Sequence, residues 1–246
     1  MNRTRLDQRL VELGLAESRE KAQRLIRAAE VTVDGQVRDK PAFPVAEDAA
    51  VAVKTPERFV SRGGEKLEAA FEHFKLDVAG RVCLDIGAST GGFTDCLLQH
   101  GATRVYAVDV GRGQLHWRLR QDTRVVVMEG VNARYLYPEN FPEPPAFATA
   151  DVSFISLTHI LPAIARVLTG GGRIVTLIKP QFEAGREQVG RGGVVRDPAI
   201  HEEVIRRIQT FGVEEAGLVW SGYSPSPLVG PAGNVEFLAL WEKGKT

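Results

Sequence analysis

Cysteine is scarce in this chain. There are two, Cys83 and Cys96. The first falls in an expected buried strand and the second in an expected helix, which reads as structural thiols in a reducing cytoplasm. The two cysteines and five histidines form no group with metal-ligand spacing, so no metal is expected. No apolar run approaches the roughly 20 residues of a membrane span. The opening Met1-Asn2-Arg3-Thr4-Arg5 offers no apolar signal core and no cleavage site. A pore or a membrane anchor is therefore not expected. Net charge is also missing, with 31 basic against 31 acidic residues. That balance decides nothing about nucleic acid, because binding depends on where the charge sits. What remains is an ordinary soluble composition, 43% hydrophobic and 25% charged, over 246 residues. That length accommodates two domains.

The most informative stretch is Asp85-Ile86-Gly87-Ala88-Ser89-Thr90-Gly91-Gly92-Phe93-Thr94-Asp95. An apolar strand (Arg81-Val82-Cys83-Leu84) feeds it and an amphipathic helix (Phe93 to His100) leaves it. Strand, glycine-rich turn and helix bind nucleotide-like ligands at the carboxyl edge of an open α/β sheet. A dinucleotide fingerprint would need glycine where Ser89 stands, and no Lys-Ser or Lys-Thr pair follows as in a P-loop. An acid before the turn and a second acidic strand end at Asp109 suit S-adenosylmethionine better than NAD. Asp109 can accept both ribose hydroxyls. The expected cofactor contacts are Asp85, Gly87, Ala88, Ser89, Gly91, Gly92, Phe93, Asp109 and Asp151, with Asn132 beside the adenine.

Ahead of this lies a smaller unit. Thr4 reads as the cap of a first helix with Leu6, Leu10 and Leu13 on one face, ended by Gly14. Ser18 reads as the cap of a second, with Ala22, Leu25, Ile26 and Ala29 inward. Val31-Thr32-Val33, Asp34-Gly35 and Gln36-Val37-Arg38 spell a hairpin, and Ala50 to Val53 another strand. Arg19, Lys21, Arg24 and Arg27 occupy the outer side of the second helix. On charge alone such a face reads as solvated surface. The order helix, helix, Val-x-Val-Asp-Gly resembles the alpha-L RNA-binding domain first described in a small-subunit ribosomal protein. That resemblance assigns Arg3, Arg5, Arg19, Lys21, Arg24 and Arg27 to RNA phosphates, which set affinity rather than sequence choice.

The expected domains are 1–54, a linker over 55–64 broken by Pro56 and Gly63-Gly64, and 65–246. The last alternates strands near Arg81–Ile86, Val105–Val110, Arg124–Met128, Ala146–Ala150 and Arg173–Ile178 with helices, the clearest over Ser156–Leu168. Such alternation means parallel strands. A helix over Pro198–Phe211 and strands over Glu215–Ser221 and Asn234–Trp241, joined through Tyr223-Ser224-Pro225-Ser226-Pro227, follow. The fold class is α/β: a Rossmann-like, mostly parallel seven-stranded sheet closed by an antiparallel last strand, the methyltransferase arrangement, behind a small α+β domain.

Two further strand ends carry candidate chemistry: Asp151 in Asp151-Val152-Ser153-Phe154, and Lys179 in Lys179-Pro180-Gln181-Phe182. Lysine at the end of an apolar strand is hard to explain by packing, unless it snorkels to the rim. The Asn-Pro-Pro-Tyr expected for attack by a base nitrogen is absent. An acid and a lysine at adjacent strand ends suit deprotonation of a ribose hydroxyl. A lysine base needs desolvation or a neighbouring cation.

Ser61-Arg62-Gly63-Gly64-Glu65-Lys66-Leu67, the Asp85–Asp95 run, Gly113-Gln114-Leu115, Asp151-Val152-Ser153-Phe154, Lys179-Pro180-Gln181-Phe182-Glu183 and Gly192-Gly193-Val194-Val195-Arg196-Asp197 together resemble the TlyA family. These are bacterial proteins, also called hemolysin A, with an alpha-L domain fused to an FtsJ-like methyltransferase domain. The resemblance covers nearly the whole chain. It implies ribose 2′-O-methylation of cytidine in ribosomal RNA or a ribosomal subunit, and a catalytic tetrad at Lys66, Asp151, Lys179 and Glu236. Spacing alone finds neither Lys66 nor Glu236. The chain has little beyond its two domains, which resembles the shorter subtype acting on large-subunit RNA; whether small-subunit RNA is also a substrate is left open by the sequence. One departure is Arg112, where relatives are expected to carry an aromatic residue. The rival readings are a membrane-lytic hemolysin and a non-catalytic RNA-binding module. The first lacks a long cationic amphipathic helix; the second would have decayed strand ends, yet Asp109, Asp151 and Lys179 are intact.

Overall fold

The computed structural model describes residues 3–54, 58–230 and 232–245. The chain divides into two compact units, Met1–Glu57 and Arg58–Thr246. Thr55, Pro56 and Glu57, the centre of the expected linker, lie outside the described residues.

In the first unit β1 (Arg3–Arg5) runs into α1 (Leu6–Glu12), and α2 (Arg19–Arg27) leads to β2 (Val31–Val33), β3 (Gln36–Val37), β4 (Pro44–Ala46) and β5 (Val51–Val53). β3, β2 and β5 form one sheet, and β1 pairs with β4. Asp34 and Gly35 have φ of 52° and 76°, so both residues of the hairpin turn are left-handed, as its twist requires. Ser18 caps α2 by accepting from the Lys21 amide at 3.2 Å. Leu6, Leu10, Ala22, Ile26, Val31 and Val45 fill the core. Three expectations are corrected. Thr4 is not a cap, because it lies in β1 opposite Val45. Leu13 follows the last helical residue and stays 42% exposed. Ala29 lies beyond α2 with φ of 58° and is exposed.

The second unit opens with α3 (Gly63–Phe74) and continues through β6 (Val82–Ile86), α4 (Gly92–Gln99), β7 (Arg104–Asp109), α5 (Trp117–Gln121), β8 (Val125–Glu129), β9 (Phe147–Ala150), α6 (Leu161–Val167), β10 (Arg173–Ile178), α7 (Pro180–Glu183), α8 (Pro198–Glu214), β11 (Leu218–Pro225) and β12 (Phe237–Lys243). The sheet order is β11-β12-β10-β9-β6-β7-β8. β6 to β10 are parallel, and β12 runs antiparallel to both β10 and β11. Alternation along the central strands serves two cores. Leu84, Ile86, Tyr106, Val108 and Ile174 face one side, and Cys83, Val105, Ala107, Val175 and Leu177 the other. Burial on both faces is why these strands read as continuous apolar runs.

Within the expected linker, residues 58–64 are tied into this unit. Val60 donates its amide to Asp95 at 2.9 Å, the Arg58 carbonyl accepts from Gln99 at 2.9 Å, and Gly63 and Gly64 begin α3. The helix expected over Ser156–Leu168 splits into a 3₁₀ turn (Leu157–His159) and α6. Pro162 has no amide hydrogen and fits only a first turn, so the α-helix restarts there. α8 runs three residues longer than expected, to Glu214, and Gly217 at φ 65° delays β11 to Leu218. β11 then passes through the expected turn to Pro225, shifting register between Trp220 and Gly222. β12 starts at Phe237 because Asn234 is held elsewhere, accepting from Val195 and donating to Gly193.

Candidate active site

The parallel strands end on one edge. Ile86 of β6 pairs with Val108 of β7 and Ala150 of β9, and Ile178 of β10 with Phe237 of β12. The residues immediately beyond those pairs are Gly87, Asp109, Asp151, Lys179 and Glu236. Sheet register alone thus gathers residues far apart in sequence.

Two cavities of about 420 and about 240 Å³ open there and share Gly87, Ser89 and Asp151. Asp109, Asn132, Val131 and Phe154 line the larger. Ala88, Gly92, Phe93 and Lys66 line the smaller. Gly87 has φ of 79°, and a Cβ on it would fall 2.4 Å from the Asp151 carbonyl oxygen. The two strand ends approach that closely only because residue 87 is glycine. Gly92 is constrained by close backbone approach as well, since a Cβ there would lie 2.8 Å from the Gly64 nitrogen.

Asp109 closes β7 with both carboxylate oxygens engaged. One accepts the Ser89 amide at 2.8 Å and the other the Gly111 amide at 2.7 Å. Each oxygen keeps a lone pair for a further donor. An acid at one end of a cavity and a glycine-walled turn at the other fit a nucleoside carrying a short polar tail. Glu129, at the end of β8, braces the same loop. Amides of Gly113 and Gln114 donate to it, Arg120 pairs with it, and its carboxyl is held below the usual range chiefly by the Gly113 amide.

Two of the expected cofactor contacts lie away from both cavities. Asp85 is fully buried, its oxygens accepting from Thr94 at 2.6 Å and Thr149 at 2.9 Å. It ties α4 and β9 to β6 beneath the turn, and burial pushes its carboxyl up to about 6. Gly91 has φ of 102°, a left-handed conformation that favours glycine, where it caps the start of α4.

The four tetrad positions form two ion pairs. Lys179 Nζ lies 2.5 Å from Asp151 Oδ1 and donates to Ser153 Oγ at 3.0 Å. Lys66 Nζ lies 2.5 Å from Glu236 Oε2, with Glu236 only 1% exposed. Lys179 and Glu236 are both buried, and each buried charge has its counter-ion, as low dielectric requires. Lys66 and Asp151 line the same cavity.

Sequence reasoning missed Phe154. It is 90% exposed, holds φ of 63°, and its ring centroid lies 5.0 Å from that of Phe182. Phe182 in turn lies 5.9 Å from Lys179 Nζ. A large aromatic residue in a left-handed conformation at the cavity mouth is costly by conformation and unrewarded by burial. No periodicity in the sequence announces it.

The structure also assembles Glu68, Cys96 and His100, with one ligating atom of each within 4.8 Å of the others. Spacing could not show this because Glu68 sits on α3 and Cys96 on α4. Glu68 already pairs with Arg58 at 2.8 Å and His100 at 2.7 Å. Burial pushes both thiols up, Cys83 to about 12.

The FtsJ-like methyltransferase family matches residues 59–243, and the S4 domain family residues 4–51. The "16S/23S rRNA (cytidine-2'-O)-methyltransferase TlyA" of Mycobacterium tuberculosis is 48% identical over 250 residues, covering 99% of this chain and 91% of that one. "Hemolysin A" of Brachyspira hyodysenteriae is 45% identical over 236 residues, covering 96% and 98%. A solved chain from Streptococcus thermophilus that carries a hemolysin name has a TM-score of 0.76 at 49% identity, covering 100% of this chain and 90% of that one.

Proposed function

The chain belongs to the TlyA/hemolysin A family, an S4 domain ahead of an FtsJ-like methyltransferase domain, and on that premise we propose that it methylates the ribose 2′-oxygen of a cytidine in ribosomal RNA. The observation that carries this reading is the pairing of Lys179 with Asp151 at the strand edge, beside a cavity with an acid at its far end. S-adenosylmethionine, when bound, supplies a methyl group on a sulfonium, which is already a good electrophile. Asp109 accepts its ribose hydroxyls, and Asn132 lies on the adenine side. Gly87, Ala88, Ser89 and Gly92 wall its methionine end.

What the enzyme must add is alignment and a nucleophilic oxygen. Lys179, with its amine neutral, takes the proton from the 2′-hydroxyl as that oxygen forms its bond to the methyl carbon, and the ammonium so formed is the partner of Asp151. S-adenosylmethionine would release the methyl group with the bonding electron pair kept on its sulfur, leaving a neutral thioether. Asp151 orients Lys179, and Lys66 with Glu236 holds a fixed electrostatic frame beside it, so little reorganisation is needed as charge moves. Phe154 offers its open face to the target base. Bases stack on such faces without regard to sequence.

A pocket for one nucleotide cannot select one site in a large folded RNA. Arg3, Arg5, Arg19, Lys21, Arg24 and Arg27 of the S4 unit supply the phosphate contacts, and a ribosomal RNA substrate implies work in the cytoplasm. Among the described residues no helix is long and apolar enough to cross a membrane. The test is a substrate RNA whose target nucleotide is 2′-deoxy. Loss of transfer supports ribose chemistry, and undiminished transfer refutes it.

A further inference from the structure

Asp7 is 0% exposed in a unit of fewer than sixty residues. Around it, Arg5 donates Nε to Oδ1 at 3.0 Å and Nη2 to Oδ2 at 3.1 Å. Arg19 donates Nε to Oδ2 at 2.9 Å, and Gln23 donates Nε2 to the same oxygen at 2.8 Å. A buried carboxylate shared by two arginines is a poor way to stabilise a fold. Apolar side chains of similar volume commonly do as well or better. What an apolar side chain cannot do is hold two guanidinium groups at a fixed separation.

Those groups are only half used. The Arg5 and Arg19 side chains stay 44% and 51% exposed. Arg19 is tied through Nε, and its terminal nitrogens have no partner among the described residues. Both arginines line one groove of about 530 Å³ with Arg3, Gln8 and Glu12, the last paired with Arg9. Arg5 precedes α1 and Arg19 begins α2; packing of the two helices places their backbones, and Asp7 is the side chain that joins their guanidinium groups. The other basic residues of α2 differ: no side-chain hydrogen bond or ion pair is found for Lys21, Arg24 or Arg27 among the described residues. Two planar guanidinium groups with outward N–H donors and preset spacing match the oxygens of a phosphodiester.

We propose that Asp7 is a positioning residue for RNA: it locks Arg5 and Arg19 into a phosphodiester clamp on the S4 unit. This rests on the reading above that the unit anchors ribosomal RNA. The clamp lowers the ordering loss on binding, because the side chains are immobilised before RNA arrives.

The test uses the full chain, with unmodified small- and large-subunit ribosomal RNA transcripts as probe. Affinity is measured against potassium chloride concentration, with thermal unfolding and S-adenosylmethionine calorimetry as controls. Arg5→Gln or Arg19→Gln should each weaken RNA binding about tenfold, the effect of one charged hydrogen bond lost. The slope of log affinity on log salt should flatten by about one. Asp7→Asn is the discriminating variant. It removes a negative charge from an anion site, so bulk electrostatics predicts tighter RNA binding, and positioning predicts weaker. In an Arg5→Gln/Arg19→Gln background Asp7→Asn should change RNA affinity no further, even if it lowers the unfolding temperature. Tighter binding in Asp7→Asn, or an undiminished effect in that background, overturns the proposal. If Arg24→Gln/Arg27→Gln weakens binding and Arg5→Gln/Arg19→Gln does not, the clamp is wrong and the anchor stands. If neither pair matters, the S4 unit is not the anchor and both readings fall.

Discussion

Lys66 and Glu236 are 170 residues apart in sequence, and their side chains meet at 2.5 Å where α3 faces the start of β12. Glu236 is buried one residue ahead of that apolar strand, and Lys66 is the cation that faces its carboxylate. Removing one partner of a buried pair costs about 3–5 kcal/mol. Lys66→Ala should therefore lower stability by that order in urea unfolding. Lys66→Met with Glu236→Gln should recover most of the loss, and methyl transfer should stay depressed. Full activity in the double variant would remove the pair from the chemistry.

Asp85 makes stability depend on pH. Its carboxyl is raised by burial to about 6, above an unfolded value near 4. A raised acid binds its proton more tightly in the folded state, so its stabilisation is complete below pH 4 and is lost as pH rises through 6. Asp85→Asn keeps one acceptor and one donor for Thr94 and Thr149 and carries no proton to lose. The stability of the parent relative to Asp85→Asn should fall by about 3 kcal/mol between pH 4 and pH 7, because the folded and unfolded carboxyls differ roughly a hundredfold in proton affinity. A difference that does not change with pH would contradict the burial account.

Asp109→Ala should weaken S-adenosylmethionine binding by about 1–3 kcal/mol, the usual loss of a charged hydrogen-bond partner. Calorimetry reads it directly. Asp109→Asn separates two contributions, because the side-chain amide can still accept one of the Ser89 and Gly111 amides. Unchanged affinity in both variants would move the ribose site elsewhere.

Phe154→Ala removes a side chain that is 90% exposed, so folding stability should hold or rise slightly. Transfer to RNA should fall by the equivalent of about 1–3 kcal/mol, the range for one base stacked on an aromatic ring. Phe154→Trp should retain transfer, and cofactor affinity should stay the same in both. Normal RNA kinetics in Phe154→Ala would deny the ring a role at the target base.

The central strands could be read from sequence because burial on both sheet faces writes itself as unbroken apolar runs, and the edge strand β8 by its β-branched run Val125-Val126-Val127. β6 to β10 formed within a residue or so of expectation. The Asp34-Gly35 turn was legible because two successive left-handed residues demand such a pair. Failures came where partners distant in sequence decide. Asn234 delays β12 by bonding Val195 and Gly193, and Asp85 serves Thr94 and Thr149 rather than a cavity. In the site, Asp109, Asp151 and Lys179 announced themselves as polar strand ends. Lys66 and Glu236 came only through family resemblance, since nothing local distinguishes a helix lysine or a glutamate at the head of an apolar run. Phe154 and Asp7 were hidden because their meaning lies in exposure and in burial, which a string of letters does not carry.

Ribose chemistry driven by Lys179 stands or falls on the identity of the methylated nucleoside. Unmodified ribosomal RNA is incubated with the full chain and S-adenosylmethionine, in parallel with Lys179→Ala, and its nucleosides are read by mass spectrometry. The parent chain should yield 2′-O-methylcytidine and the variant essentially none, although the variant still binds the cofactor. A base-methylated nucleoside, no methylated product from the parent chain, or equal 2′-O-methylcytidine from both would contradict that chemistry.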